Sequence, residues 1–349
     1  MDKVKLQTYL DKIANRIHAA AGVADSAGSV FACTNHELFG KKLSLPKKIE
    51  NEIMANALYS FLRLNEDSEN FCFIEGTGRE YEGALTVLTG SVAFYMSMEY
   101  ETKQETEYYK GIFLGTISAE QMIAEAYTLG MEFEASRAVL LVESSKHDLP
   151  AIMDVLEALY KTSDDVRVAG VFSNTIALVV NTTDQTTPDQ TGFQIVETLE
   201  TELYITTRVG IGQEVASLAE LIKSYDSCKI ALEVSEVFHP HIKVVNFGKL
   251  GVTRLINDIS EQAGKSFIHE VFDDQMFADF GKEYLSTVES FFENSLNVSE
   301  TARKMFIHRN TLVYRLDKIN KLTGLDITRF EDAMVLKLAI MLRKYLQHK

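Results

Sequence analysis

The stretch NVSETARKMFIHRNTLVYRLDKINKLTGLDI, residues 297–327, decides how this chain is read. Asn297-Val298-Ser299 interrupts an apolar stripe, and Ser299 is placed to cap a helix whose first turn carries Glu300 and Thr301. That helix is short. Ala302, Met305 and Phe306 are expected to face inward, Ala302 being small enough to admit a second helix. Ile307-His308 is expected to form the turn. The second helix then runs from about Arg309 to Leu322 and stops at Thr323-Gly324, a good C-terminal signal.

This second helix has two faces. Leu312, Leu316, Ile319 and Leu322 form the apolar one. Asn310, Thr311, Tyr314, Arg315 and Lys318 fall within about 140° on another, at roughly 100° per residue, and each can hydrogen-bond a base edge or a phosphate. A major groove about 12 Å wide admits one helix. In helix-turn-helix proteins the first residues of the second motif helix reach the bases, which here are His308, Arg309, Asn310 and Thr311. Arg309 suits guanine O6/N7 and Asn310 adenine N6/N7, each worth about 1–3 kcal/mol of discrimination. Ser299, Thr301, Arg303 and Lys304 on the preceding helix are expected on the phosphates.

Charge supports this reading once its distribution is considered. The net charge of −15 would by itself repel DNA. Between Ser299 and Leu322, however, Arg303, Lys304, Arg309, Arg315, Lys318 and Lys321 face only Glu300 and Asp317. That segment is locally +4 and leaves −19 on the rest of the chain. A basic island on an acidic body binds phosphate locally and stays soluble elsewhere.

The quoted residues resemble the helix-turn-helix of the PucR/CdaR family of bacterial regulators. The resemblance rests on Ser299-x-x-Ala302, on Phe306 through Thr311 with Leu312-x-Tyr314-Arg315-Leu316, and on Thr323-Gly324-Leu325. No glycine occupies the turn, a departure from the general motif that the family tolerates. The family's following helix matches Phe330 to Leu346. The resemblance implies a transcription regulator, dimeric on near-palindromic double-stranded DNA, controlled by a small metabolite that is often an acid.

Working outward, EYLSTVESFFENSL (283–296) carries one apolar stripe and supplies the helix before the motif. Ala333, Met334, Leu336, Leu338, Met341 and Tyr345 wrap widely around the last helix, which therefore needs helices to pack against, in this chain or a partner. From about Gly251 onward every segment has helical pattern.

Before it, RAVLLVE (137–143) reads as a buried strand, and the order to residue 247 is β-α-β-β-α-β-α-β, the split arrangement of ferredoxin-like and cyclase-like domains. In the family a GGDEF-like domain often stands here, and Val209-Gly210-Ile211-Gly212 followed by Leu218-Ala219-Glu220-Leu221 looks like it. The hairpin that would hold metal and nucleotide reads Gly170-Val171-Phe172-Ser173-Asn174-Thr175 and has no carboxylate, so cyclase chemistry is not expected. Flexible φ is the expected reason for Gly210 and Gly212. His239-Pro240-His241 has no third ligand at a convincing spacing and reads as a surface loop.

The first 110 residues give an amphipathic helix (2–20), a short strand (Ser29–Thr34), a helix (46–64) and strands at 71–75 and 80–97, with turn residues Glu75–Arg79 between the last two. SVFACTNHELFG loosely resembles the opening of a PAS- or GAF-type sensor. Asn35, His36, Arg79 and Tyr81 are candidates to hold a polar ligand, with exposed loop residues as the competing reading.

The expected architecture is multidomain α+β: a sensory domain at 1–110, a helical connector at 111–135, a GGDEF-like domain without the cyclase motif at 136–250, and a helical domain at 251–349 with its motif at about 283–346. No catalytic residue, metal site or cofactor is expected. Three scattered cysteines, no signal-like apolar run and no spanning segment point to the cytoplasm and away from membranes. The competing function is a metabolite- or nucleotide-binding signalling protein whose C-terminal helices serve assembly.

Overall fold

The computed structural model describes residues 3–46, 52–65, 68–144, 149–272 and 274–348. The chain divides into two compact units, residues 1–107 and 108–349.

In the first unit, α1 (Lys3–Ile13) is followed by β1 (Ala21–Ala24), β2 (Val30–Cys33), β3 (Met54–Ala55), β4 (Tyr59–Arg63) and β5 (Phe71–Glu75), and then α2 (Arg79–Phe113) begins. The five strands form one antiparallel sheet in the order β2-β1-β5-β4-β3. Leu6 and Leu10 of α1, with Leu85, Leu88 and Val92 of α2, cover Val23, Ala32, Cys72 and Ile74 of the sheet.

Two expectations fail in this unit. Where the sequence predicts a helix over 46–64, the described part is the β3–β4 hairpin; residues 47–51 lie outside the described residues. Its turn closes on Asn56, whose Oδ1 accepts from the Leu58 and Tyr59 amides at 2.8 Å, so a side chain competes successfully with the helix. Conversely, the strand expected at 80–97 is helical within α2. Its valines and threonines favour a strand locally, but Leu85, Leu88 and Val92 are buried at helical spacing, and packing prevails.

The second unit opens with the end of α2 and α3 (Ala119–Thr128), then β6 (Glu134–Ser144), α4 (Leu149–Leu159), β7 (Val166–Phe172), β8 (Thr175–Asn181), α5 (Pro188–Glu202), β9 (Thr207–Ile211), β10 (Val215–Ser217), α6 (Leu221–Phe238) and β11 (Val244–Asn246). Strand order is β11-β9-β6-β8-β7, with β10 also paired to β6. The four strands β9-β6-β8-β7 carry the split βαββαβ connection, and β11 extends the edge parallel to β9.

Successive residues of a strand point to opposite faces, and β6 buries both. Leu140 and Val142 meet α4 and α5 through Ile152, Leu156, Ile195 and Leu199. Val139 and Leu141 meet Ile112, Phe113, Ala126, Cys228 and Leu232. The residues read as a connector thus cover one face of this sheet. Gly210 and Gly212 have no positive φ. They are glycine because α6 lies against the strand: a Cβ on Gly212 would meet the Ser224 carbonyl oxygen at 2.1 Å.

The helical part follows as α7 (Thr253–Asp258), α8 (Glu261–Val271), α9 (Asp274–Glu293, broken at Gly281), α10 (Val298–Lys304), α11 (Arg309–Thr323) and α12 (Phe330–His348). The last helix packs within its own chain. Met341, Leu342 and Tyr345 share a cluster with Ala231, Val234 and Val237 of α6 and with Ile268 of α8. The Tyr345 hydroxyl lies 2.7 Å from both Glu233 Oε1 and Asn257 Oδ1. Among the described residues no helix is long and apolar enough to cross a membrane.

Candidate nucleic-acid interface

The three helices α9, α10 and α11 close on one apolar cluster. Val288 and Phe291 of α9, Ala302 of α10, and Leu312, Leu316 and Ile319 of α11 meet there, with Ala333 and Leu336 of α12 beneath. At roughly 1.5–3 kcal/mol for each large side chain fully buried, this cluster holds the motif rigid.

Each helix end is fixed by a local device. Asn297, not Ser299, caps α10: its Oδ1 accepts from the amides of Ser299 and Glu300, both at 3.0 Å. His308 caps α11, its Nδ1 accepting from the Asn310 amide at 3.2 Å. Gly324 ends α11 with φ +72°, the left-handed conformation a stop glycine supplies. His308 and Arg309 thus stand at the N-terminal, positive end of the α11 dipole.

Between α10 and α11 the chain turns at Phe306, with φ +56°. Glycine adopts this backbone at no steric cost, while other residues lose about 1–2 kcal/mol. The turn swings the ring outward, so Phe306 is 96% exposed rather than facing the core. The apolar spacing of the sequence does not contain this information, because it depends on one backbone dihedral.

The expected reading face divides into exposed and enclosed members. His308, Arg309, Asn310 and Thr311 are all exposed at the start of α11. Among the described residues no carboxylate pairs with Arg309. Tyr314 is exposed on the next turn, with Lys318 Nζ 5.8 Å from its ring centroid. Ser299 and Lys304 are exposed on α10. Arg303 is exposed too, but its guanidinium lies 2.6 Å from Glu300, whose carboxyl is thereby held below the usual glutamate range.

Two expected members are placed otherwise. Thr301 is fully buried, and its hydroxyl donates to the Asn297 carbonyl at 2.8 Å. Its side chain belongs to the α10 interior. Arg315 is turned toward α9: it lies 2.6 Å from Glu283 Oε1 and donates to Thr287 Oγ1 at 3.3 Å, with the side chain 18% exposed. The free groups therefore concentrate at the N-terminal end of α11, a helix about 22 Å long.

In the middle domain the β7–β8 hairpin turns at Ser173, φ +56°, and Asn174. The four candidate ligand residues of the first unit fall into two places. Asn35 caps the turn carrying His36, and His36 Nε2 lies 2.9 Å from Asp11. Asn35 also lines a cleft of about 480 Å³ with Asn15, His18, Thr34 and Glu75. Arg79 and Tyr81 lie in the first turn of α2, and a Cβ on Gly76 would meet the Tyr81 ring at 2.4 Å. A second cleft of about 350 Å³, which the sequence did not suggest, is lined by Lys41, Lys42, Ser44, Asn56 and Tyr59.

Comparison with known proteins follows this division. The PucR C-terminal helix-turn-helix domain matches residues 284–342, and the GGDEF-like domain matches residues 114–234. The proline-responsive transcriptional activator PutR of Bacillus subtilis (strain 168) is 24% identical over 263 residues, 71% of this chain and 64% of that protein. The carbohydrate diacid regulator of Escherichia coli (strain K12) is 22% identical over 317 residues, 86% of this chain and 79% of that protein. The purine catabolism regulatory protein of B. subtilis is 37% identical over 60 residues, 17% of this chain and 11% of that protein.

Proposed function

From the premise that this chain belongs to the PucR/CdaR family of transcription regulators, we propose that it binds double-stranded DNA through α11 as a homodimer and answers to a small metabolite. The single observation that carries this is the exposed, capped start of α11, where His308, Arg309, Asn310 and Thr311 stand clear of the core. Arg309 and Asn310 read base edges in the major groove. Lys304, Arg303, Ser299 and Lys318 track the phosphates on either side, and Tyr314 adds a hydroxyl to the same face. Two copies present two such helices to half-sites about 34 Å apart.

The β7–β8 hairpin is the second part of the reading. Without a carboxylate between Gly170 and Thr175 it does not assemble two-metal chemistry, so the middle domain transmits rather than catalyses. The first unit, a PAS- or GAF-like sensor in this reading, receives the effector. The names of the two long relatives make proline and carbohydrate diacids the first compounds to try. Both carry carboxylates, and the lysines of the smaller cleft offer the complementary charge.

Selection from a genomic DNA library at about 0.15 M salt tests the reading. A near-palindromic site should be enriched, and the Arg309→Ala, Asn310→Ala double variant should lose it. Recovery of no preferred sequence would refute it.

A further inference from the structure

The geometry points to Phe306 as a further base-reading residue, one that recognises a thymine by its methyl group. Phe306 stands at the stop of α10. Its amide donates to the Arg303 carbonyl at 3.2 Å, and the Ile307 amide donates to the Ala302 carbonyl at 3.0 Å. These paired bonds make a helix stop whose left-handed residue is ordinarily glycine. The neighbouring stops keep to small residues there, Ser295 after α9 and Gly324 after α11. Phe306 puts a phenyl ring on the same kind of backbone, at φ +56°. Met305 and Ile307 on either side pack against the motif core. Phe306 itself is 96% exposed, the highest value for a large apolar side chain among the described residues. The chain thus bears backbone strain and an uncovered ring at one position, and folding gains from neither. Strain of this kind points to a contact made outside the fold.

The surroundings identify the ligand. No carboxylate occurs from Thr301 through Leu316, and Lys304 and Arg309, both exposed, flank the turn. A polyanion is the partner that this end of the motif attracts. When the second helix of such a motif enters the major groove, the first crosses the sugar-phosphate backbone. The turn that joins them then lies at the rim, between phosphates and base edges. The thymine C5 methyl is the apolar group that the bases present in that groove, and phenylalanine is among the side chains that contact it. His308, Arg309, Asn310 and Thr311 all have hydrogen bonds to offer. Phe306 offers only apolar surface, so it adds a thymine to what Arg309 and Asn310 read. This deepens the proposed function and rests on α11 binding DNA.

The test takes the full chain and the DNA enriched from the library, resynthesised with deoxyuridine for thymidine at each position of the half-site in turn. Deoxyuridine lacks only the C5 methyl. For the wild type, one position should weaken binding about fourfold per half-site, the worth of one methyl group kept from water. Phe306→Asn tolerates the left-handed backbone and removes the ring. It should bind the thymidine site about fourfold or more weakly per half-site and lose nothing further with deoxyuridine at that position. Phe306→Tyr keeps the ring and should keep the sensitivity. Phe306→Asn should unfold at a temperature no lower than the wild type, which separates a lost contact from a lost fold. The proposal is overturned if no thymidine is sensitive in the wild type, if the sensitivity persists in Phe306→Asn, if that variant unfolds at a lower temperature, or if it binds as tightly as the wild type. In the last case, loss of the site by the Arg309→Ala, Asn310→Ala variant leaves DNA binding by α11 standing and removes only the role of Phe306.

Discussion

Replacing Arg315 by alanine separates the two roles an arginine on α11 can have. Its guanidinium faces α9, 2.6 Å from Glu283 and within hydrogen-bond reach of Thr287. Glu283 is itself 62% exposed, which holds the ion pair to about 0.2–1 kcal/mol. The mostly covered aliphatic stem adds a similar amount through packing. The variant should therefore weaken the α9–α11 contact by about 0.4–2 kcal/mol, a factor of roughly 2–30 in the local opening equilibrium. Hydrogen exchange of the α11 amides in the full chain reads that factor directly. DNA affinity measured against salt reads the other role. Each neutralised phosphate contributes about −0.9 to the slope of log affinity on log salt. Arg315→Ala should leave that slope as in the wild type, while Lys304→Ala should make it shallower by about one. A slope reduced by one in Arg315→Ala, with amide protection unchanged, would refute the structural assignment.

Gly212→Ala should destabilise the middle domain by about 1–3 kcal/mol through overpacking, read as a fall in the thermal midpoint. The added methyl meets backbone of α6 rather than a movable side chain. Cys72 and Cys228 are fully buried, and burial pushes the Cys72 thiol up to about 12; intact-mass analysis of the native chain with iodoacetamide near pH 8 should show both unmodified, since the thiolate is the reactive form. Asp326 accepts from the Thr328 hydroxyl and amide, which holds its carboxyl below the ordinary aspartate value of 3.8. Its contribution is complete above that value and is lost as pH falls through the depressed one. Asp326→Asn should therefore lower the thermal midpoint near neutrality, with the gap closing in acid.

The C-terminal motif was legible because its signals are local. A capping triplet, an apolar row at helical spacing and a stop glycine fix α10 and α11 within a residue or two. What the sequence did not disclose there depends on three-dimensional neighbours: Arg315 is held by α9, and Thr301 is enclosed by its own turn. The first unit was harder to read for the opposite reason. Its local preferences point away from the final state, with strand formers in α2 and helical spacing in the β3–β4 hairpin. The split βαββαβ core was visible from its order of elements. That the end of α2 and α3 complete one of its faces was not, because what buries their apolar residues is a sheet and a helix formed by later segments.

The seating of α12 on α6 bears on how this protein can be rebuilt. Tyr345 sits three residues from the described end of the chain, yet its hydroxyl is held by Glu233, in the middle domain. A hybrid regulator made by grafting another DNA-binding end after residue 250 would replace α12 while keeping α6. Ala231, Val234 and Val237 would then be left without their cover. The graftable unit starts instead at the last turns of α2. It carries the sheet and the reading head together, and a new sensor is best attached ahead of Tyr108.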